Sequence, residues 1–411
     1  MTLRRLSAGL LALIASAAAA AAADMPAPAA PAAGPCKATI AFPSYGGIIA
    51  QNPNPACVTV PGLGDVYLGG AVTGYAFTQS SSFPASTTSL PSDRSGLADF
   101  SNLQAFVQKP DGAFQFFLQS GLYTVPVLGA PTFRTLEETR LLFGPVPVVY
   151  GKYAFNEDWS IQGGRMPTLI GAETTFTFQN LNVARGLLFG QENAIDQGVQ
   201  VNYAHGPLTV SASGNDGFYS GKLDWLSGLV AYKIDDAQTL TFDAGANLGR
   251  SAVSTYATPL LQNNSAIFNL IYSYNHGPWI VTPYLQFTDV ERDERLGIAQ
   301  GASTYGGAVL ASYAFTGHFA LAGRVEAESQ TGRRGSGTTS LLYGPGSSAA
   351  SVTLTPTFTY DRFVLRGEYS HTQLYDIVRG DAGAGVTGAG FGRYGDRTGQ
   401  DRFLVEGGVT F

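Results

Sequence analysis

From Val66 to the end of the chain, apolar residues alternate with polar or small ones in segments of about eight to eleven residues. Ser351–Tyr360 carries the pattern most openly. There Val352, Leu354, Pro356, Phe358 and Tyr360 alternate with Thr353, Thr355, Thr357 and Thr359. In Trp279–Thr288, Trp279, Val281, Leu285 and Phe287 share one face, and Thr282, Tyr284, Gln286 and Thr288 share the other. A period of two sends successive side chains to opposite faces, so each segment reads as a strand with one apolar and one polar face.

Sixteen such segments are predicted. The first eight are Val66–Phe77, Asn102–Gln108, Ala113–Tyr123, Val148–Phe155, Trp159–Arg165, Gln197–Ala204, Leu208–Gly214 and Leu223–Tyr232. The second eight are Thr239–Leu248, Ala266–Tyr274, Trp279–Thr288, Thr304–Ala314, His318–Glu328, Ser351–Tyr360, Arg362–His371 and Arg402–Phe411.

The connections alternate between short and long. Lys109–Gly112, Asn156–Asp158, His205–Pro207, Lys233–Gln238, Asn275–Pro278, Phe315–Gly317 and the Tyr360/Asp361 junction are tight turns. Between them run long connections such as Thr78–Ser101, Thr124–Pro147, Met166–Asp196, Gln330–Ala350 and Thr372–Asp401. A soluble sandwich has no reason to keep every second connection short. A transmembrane antiparallel β-barrel does, with short periplasmic turns and long extracellular loops. Ten residues at about 3.3 Å each, tilted near 40°, cover roughly the 25 Å apolar band of such barrels. In hydrocarbon every backbone group needs an internal partner, which strands obtain only by closing. The expected fold is therefore all-β: a barrel of about sixteen strands over residues 66–411.

The residues before the barrel read differently. Met1–Ala23 has the form of a cleaved signal peptide: Arg4 and Arg5, an apolar run from Leu10, and Ala21 and Ala23 before Asp24. Residues 24–65 are expected to be a periplasmic Ala/Pro-rich tether and an N-terminal segment closed by a Cys36–Cys57 disulfide. Loss of Arg4 and Arg5 takes the formal charge from −6 to −8.

Composition agrees with many short strands. Charged residues make up 13% and Gly 51 of 411 positions, against about 25% charged and 7% Gly on average. Aromatic residues at 12% exclude a disordered chain, and an acidic balance argues against nucleic acid as a partner. No apolar run is long enough for a bundle of transmembrane helices.

Three stretches resemble known families. Gly164-Arg-Met-Pro-Thr-Leu-Ile-Gly171, Ala184-Arg-Gly-Leu-Leu-Phe-Gly190 and Gly198-Val-Gln-Val-Asn-Tyr203 are similar to β-barrel porins of the Gram-negative outer membrane. Cys36…Tyr45-Gly46-Gly47…Pro55-Ala-Cys57 resembles the paired-cysteine segment ahead of the first strand of alphaproteobacterial porins. The departure is a glycine-rich, poorly alternating first strand, Val66–Phe77. The resemblance implies a passive channel for small hydrophilic solutes and ions in the outer membrane. Outer-membrane lipid and lipopolysaccharide are expected partners, and a homotrimer is one expected assembly. In barrels of this class a terminal aromatic such as Phe411 is an assembly signal for the barrel assembly machinery.

If apolar faces meet lipid, parity places Lys152, Asp243, Arg324, Glu326, Arg366, Glu368 and Glu406 on the lumen wall. Met166–Asp196 is the third long loop and is rich in apolar residues, so it is expected to be ordered and to narrow the channel. Glu173, Arg185 and Glu192 would then face the permeant, opposite Arg324 and Arg366. Thr124–Pro147, with Arg134, Glu137, Glu138 and Arg140, reads as a short helix capping the mouth or meeting a neighbour. The acidic balance suggests at most a weak cation preference.

No cofactor or metal is expected. Gly383-Ala-Gly-Val-Thr-Gly388 matches a dinucleotide pattern but lacks the flanking strand and helix. His205, His276, His318 and His371 have no metal-ligand spacing. A barrel hydrolase is the enzyme alternative, with His371 near Thr372 and Asp376, but no G-x-S-x-G elbow is present. An adhesin or structural barrel binding through its long loops is the other alternative.

Overall fold

The computed structural model describes residue 40, residues 42–84 and residues 91–411. The expected signal peptide, the tether and Cys36 lie outside the described residues.

A short strand β1 (Ala56–Val60) precedes the barrel strands. These are β2 (Gly64–Gln79), β3 (Gly96–Lys109), β4 (Phe114–Tyr123), β5 (Val148–Ala154) and β6 (Trp159–Pro167). Next come β7 (Ile195–His205), β8 (Leu208–Asn215), β9 (Trp225–Lys233), β10 (Gln238–Asn247), β11 (Ser265–His276) and β12 (Trp279–Val290). The last are β13 (Ala302–Thr316), β14 (Phe319–Gln330), β15 (Ser348–Tyr360), β16 (Phe363–Tyr375) and β17 (Gly399–Thr410). Each pairs antiparallel with the next. β17 closes on β2, with Leu404 opposite Phe77 and Thr410 opposite Ala71. The result is a closed sixteen-stranded barrel, β2 to β17, as the alternation predicts.

Burial runs opposite to that of a soluble protein. On β15, Leu354 is 48% exposed and Thr355 is 0% exposed. Val352, Phe358 and Tyr360 join Leu354 on the outer face, while Ser351, Thr353, Thr357 and Thr359 are buried inside. An apolar band around the whole barrel suits hydrocarbon and no aqueous surface. Aromatic pairs gather toward the turn end: Trp159 with Tyr203 at 4.7 Å, Trp279 with Tyr313 at 4.6 Å, and Tyr313 with Phe315 at 4.9 Å. Such rings favour the level where headgroups meet the acyl chains. No described helix is long and apolar enough to cross a membrane, so the strands do the crossing.

Most strand ends shift by a few residues from the sequence reading, and two differences have a structural reason. β3 begins six residues before the expected Asn102. The register against β2 jumps from Thr73↔Asn102 to Gly74↔Phe100, so Ser101 is a bulge residue. Ser101 and Asn102 both point inward at 0% exposure. The bulge flips the parity and hides Gly96–Phe100 from a period-two search. β1 has only five residues and covers the start of β2, with Cys57 opposite Tyr67.

Candidate functional site: a loop held inside the barrel

The connection between β6 and β7 carries two short 3-10 turns, Thr177–Gln179 and Leu188–Gln191. Its apolar side chains touch walls on different sides of the barrel. Phe176 and Phe178 pack with Phe106, Phe117 and Tyr123 of β3 and β4. Ile170 meets Trp225 and Ile267 of β9 and β11. Leu188 meets Ile271, Tyr284 and Leu310 of β11, β12 and β13. Val183 meets Tyr75, Phe77 and Leu404 at the β2/β17 seam. Burying these side chains together is what carries the loop across the lumen. Each of them contributes roughly 1.5–3 kcal/mol relative to leaving it in water.

Charges on β14, β16 and β17 then fix the loop's backbone. Arg324 donates to Glu173 Oε1 at 2.7 Å and to the Ala184 carbonyl at 2.8 Å. Glu326 accepts from the Leu187 N–H at 2.8 Å and from Ser351 at 2.5 Å. Glu368 accepts from the Val183 and Ala184 N–H groups at 2.5 and 3.0 Å, and from Thr355 at 2.9 Å. Arg366 donates to the carbonyls of Asn180 and Thr177 at 3.0 and 2.9 Å and to Glu406 Oε2 at 2.9 Å. Glu406 also accepts from the Thr177 hydroxyl at 2.6 Å. Glu173 in turn accepts from the Gly186 N–H at 2.7 Å. A Cβ on Gly186 would lie 2.3 Å from Glu326 Oε2, so this approach needs glycine.

The residues singled out from sequence fall into three groups. Arg324, Glu326, Arg366, Glu368, Glu406 and Glu173 form one buried network, and their charges hold the loop instead of standing free along the wall. Glu192, on the loop, and Asp243, on β10, lie toward the β10–β12 wall. Glu192 accepts from Gln286 at 2.8 Å, and Asp243 accepts from Asn269 at 2.9 Å and faces the Gly171 N–H at 3.4 Å. Burial, with Asp243 next in weight, holds the Glu192 carboxyl well above the usual carboxylate range. Lys152 is half-buried on the inner face of β5, opposite Gln115 and Gln162.

Arg185 differs from the rest. It is 0% exposed, and its three guanidinium nitrogens have no hydrogen-bond partner among the described residues. Burial pulls its pKa down to about 10. Its backbone bonds to the second long loop, from its N–H to Pro126 O at 2.8 Å and from Leu128 N–H to its carbonyl at 2.9 Å. That second loop carries helix α1 (Thr135–Leu141). Glu138 of α1 is buried, accepts from Thr124 and from the Val125 N–H, and is pushed up by burial to about 7.

Sequence reasoning missed the chain ahead of β1. Phe42 packs edge-on against Phe117 at 4.4 Å, and its carbonyl accepts from Gln108 at 2.8 Å. Tyr45 lies 5.4 Å from Phe178, and the Gly46 N–H donates to Phe178 O at 3.0 Å. The signal was present as apolar residues, Phe42, Tyr45, Ile48 and Ile49, in a stretch read as tether and loop.

Other chemistry is sparse. Among the described residues no group of three or more His, Cys, Asp or Glu is placed to hold a metal ion. His371 meets Asp401 at 2.9 Å, not Asp376, and the pair lies on the outer face of β16 and β17.

Comparison with known proteins agrees with this geometry. Solved porin structures share the fold at low identity. The anion-selective porin of Comamonas acidovorans aligns at TM-score 0.52 and 15% identity, over 84% of this chain and 99% of its own. The outer membrane channel DcaP of Acinetobacter baumannii aligns at 0.54 and 11%, over 87% and 100%. Salmonella typhi OmpF, in complex with daunomycin, aligns at 0.51 and 11%, over 87% and 100%. No curated protein matches the chain. The family model described as "Putative beta-barrel porin-2, OmpL-like" matches residues 65–411, the whole barrel, and the chain belongs to that family of outer-membrane porin channels.

Proposed function

We propose that the protein passes small hydrophilic solutes and ions passively across the outer membrane, with no cofactor and no energy input. One observation carries this reading: a loop crosses the lumen of a sixteen-stranded barrel and is held by buried wall charges. Barrels of this size leave aqueous room, and an ordered inner loop reduces that room to a selective passage. Glu173, Arg185 and Glu192 on the loop, with Arg324 and Arg366 on the wall against it, are buried and act on a permeant through the field they set, not by direct contact. The acidic balance of the whole chain supports a weak cation preference.

Residues 1–23 are removed on export, and the short turns face the periplasm. Cys36 and Cys57 close an N-terminal loop, and Phe411 marks the chain for barrel assembly. Outer membrane proteins of this shape include a trimer form of Vibrio cholerae OmpT, which supports self-association; outer-membrane lipid and lipopolysaccharide would surround the barrel. The test is single-channel conductance of the refolded protein in a planar bilayer under a KCl gradient. Discrete ohmic steps support the reading, and a folded barrel without steps overturns it.

A further inference from the structure

We propose that residues 42–49 form an internal strap that positions the constriction loop from below. The proposal rests on the reading of that loop as the constriction. The strap makes no ladder bonds with the barrel; its contacts are with inward-facing wall residues and with the loop. Phe42 fits among the inward-facing rings of Phe117 and Tyr150, at 4.4 and 6.3 Å. The Phe42 carbonyl is fixed by Gln108, which points inward from β3. Pro43, Gly46 and Ile49 are buried. Tyr45 covers Phe178, and the Gly46 N–H caps the Phe178 carbonyl at 3.0 Å.

Gly46 is the point of closest approach. A Cβ there would lie 2.2 Å from the Asn180 carbonyl oxygen and 2.9 Å from the Asn180 nitrogen, both backbone atoms. Asn180 is itself held by Arg366 through its carbonyl. The loop segment Thr177–Asn180 is thus clamped between a wall arginine and the strap. Without the strap, Phe178 loses the Gly46 donor and the cover of Tyr45, while the β14–β17 contacts stay in place. The strap also occupies lumen cross-section beside Phe117 and Tyr150, so its release both loosens the loop and widens the passage.

The test uses the full chain with Gly46→Val, with Ser44→Val, at an exposed strap position, as the control. Barrel integrity is checked by the heat-modifiable shift on gel electrophoresis. The strap reading predicts amide exchange at Thr177–Leu181 faster by about tenfold or more in Gly46→Val. It also predicts single-channel conductance raised by roughly 1.5-fold or more, with wild-type behaviour in the control. Wild-type exchange and conductance in Gly46→Val overturn it. Should Gly46→Val fail to fold, Tyr45→Ala reads the same two quantities and decides in the same way. Should the wild-type barrel itself show no steps, the channel reading fails separately, and the exchange result alone keeps or overturns the strap.

Discussion

Arg324 on β14 meets Glu173 at 2.7 Å across a sequence separation of 151 residues, with both side chains wholly out of solvent. This contact ties the loop that crosses the lumen to the wall. Removing one partner of a buried pair leaves an uncompensated charge, at a cost of about 3–5 kcal/mol. Arg324→Met should therefore lower the unfolding midpoint in detergent strongly. Arg324→Met with Glu173→Gln should recover a measurable part of the loss, because it removes one of the two stranded carboxylates. A double variant no more stable than the single would show that the pair is not coupled.

The barrel was legible because period-two alternation is a strong local signal, repeated sixteen times with an outer face that never needs to be polar. All sixteen segments overlap observed strands, from β2 to β17. The grip on the inner loop was not legible. Val183 and Glu368 lie 185 residues apart, and the bond runs from a backbone N–H that no sequence pattern marks. Parity could put Arg324, Arg366 and Glu368 inside; it could not show that their charges are taken up by the loop backbone. The strap was hidden because Phe42, Tyr45 and Ile49 have helical spacing but sit among Pro43, Gly46 and Gly47, which break a helix, and their partners are the loop and the wall.

Glu368 accepts two adjacent N–H groups, so its charge matters more than its shape. Glu368→Gln turns one acceptor into a donor facing a donor. The expected cost is about 1–3 kcal/mol, with faster amide exchange at Val183 and Ala184 and an unchanged barrel. Exchange at wild-type rates would show that the carboxylate does not hold this segment.

The second loop should respond to pH. Burial raises the Glu138 carboxyl from 4.5 to about 7, so the folded loop favours the neutral form. Its stabilising contribution is whole below about 4.5 and is lost as pH rises through about 7, an effect of at most about 3 kcal/mol. Exchange at the Val125 amide, corrected for the intrinsic pH dependence, should be slower near pH 5.5 than near pH 8.5. Glu138→Gln should flatten the difference. A loop held more tightly at the higher pH would contradict the assignment.

The two faces of the barrel predict opposite tolerance to charge. Leu285 on β12 is 62% exposed on the outer, apolar face. Leu285→Arg should cost about 2–4 kcal/mol near the middle of a bilayer, measured by unfolding from lipid vesicles. The same substitution should cost far less in detergent, where the headgroup level is close. Equal costs in both media would argue that this face does not meet hydrocarbon.

The proposed function depends on an aqueous passage narrowed by the loop between β6 and β7. Single-channel recording across a KCl gradient tests it most directly. Expected are discrete ohmic steps whose size grows in Arg324→Met, with a reversal potential of weak cation preference. A correctly folded barrel that stays silent, in the wild type and in Arg324→Met alike, would contradict it.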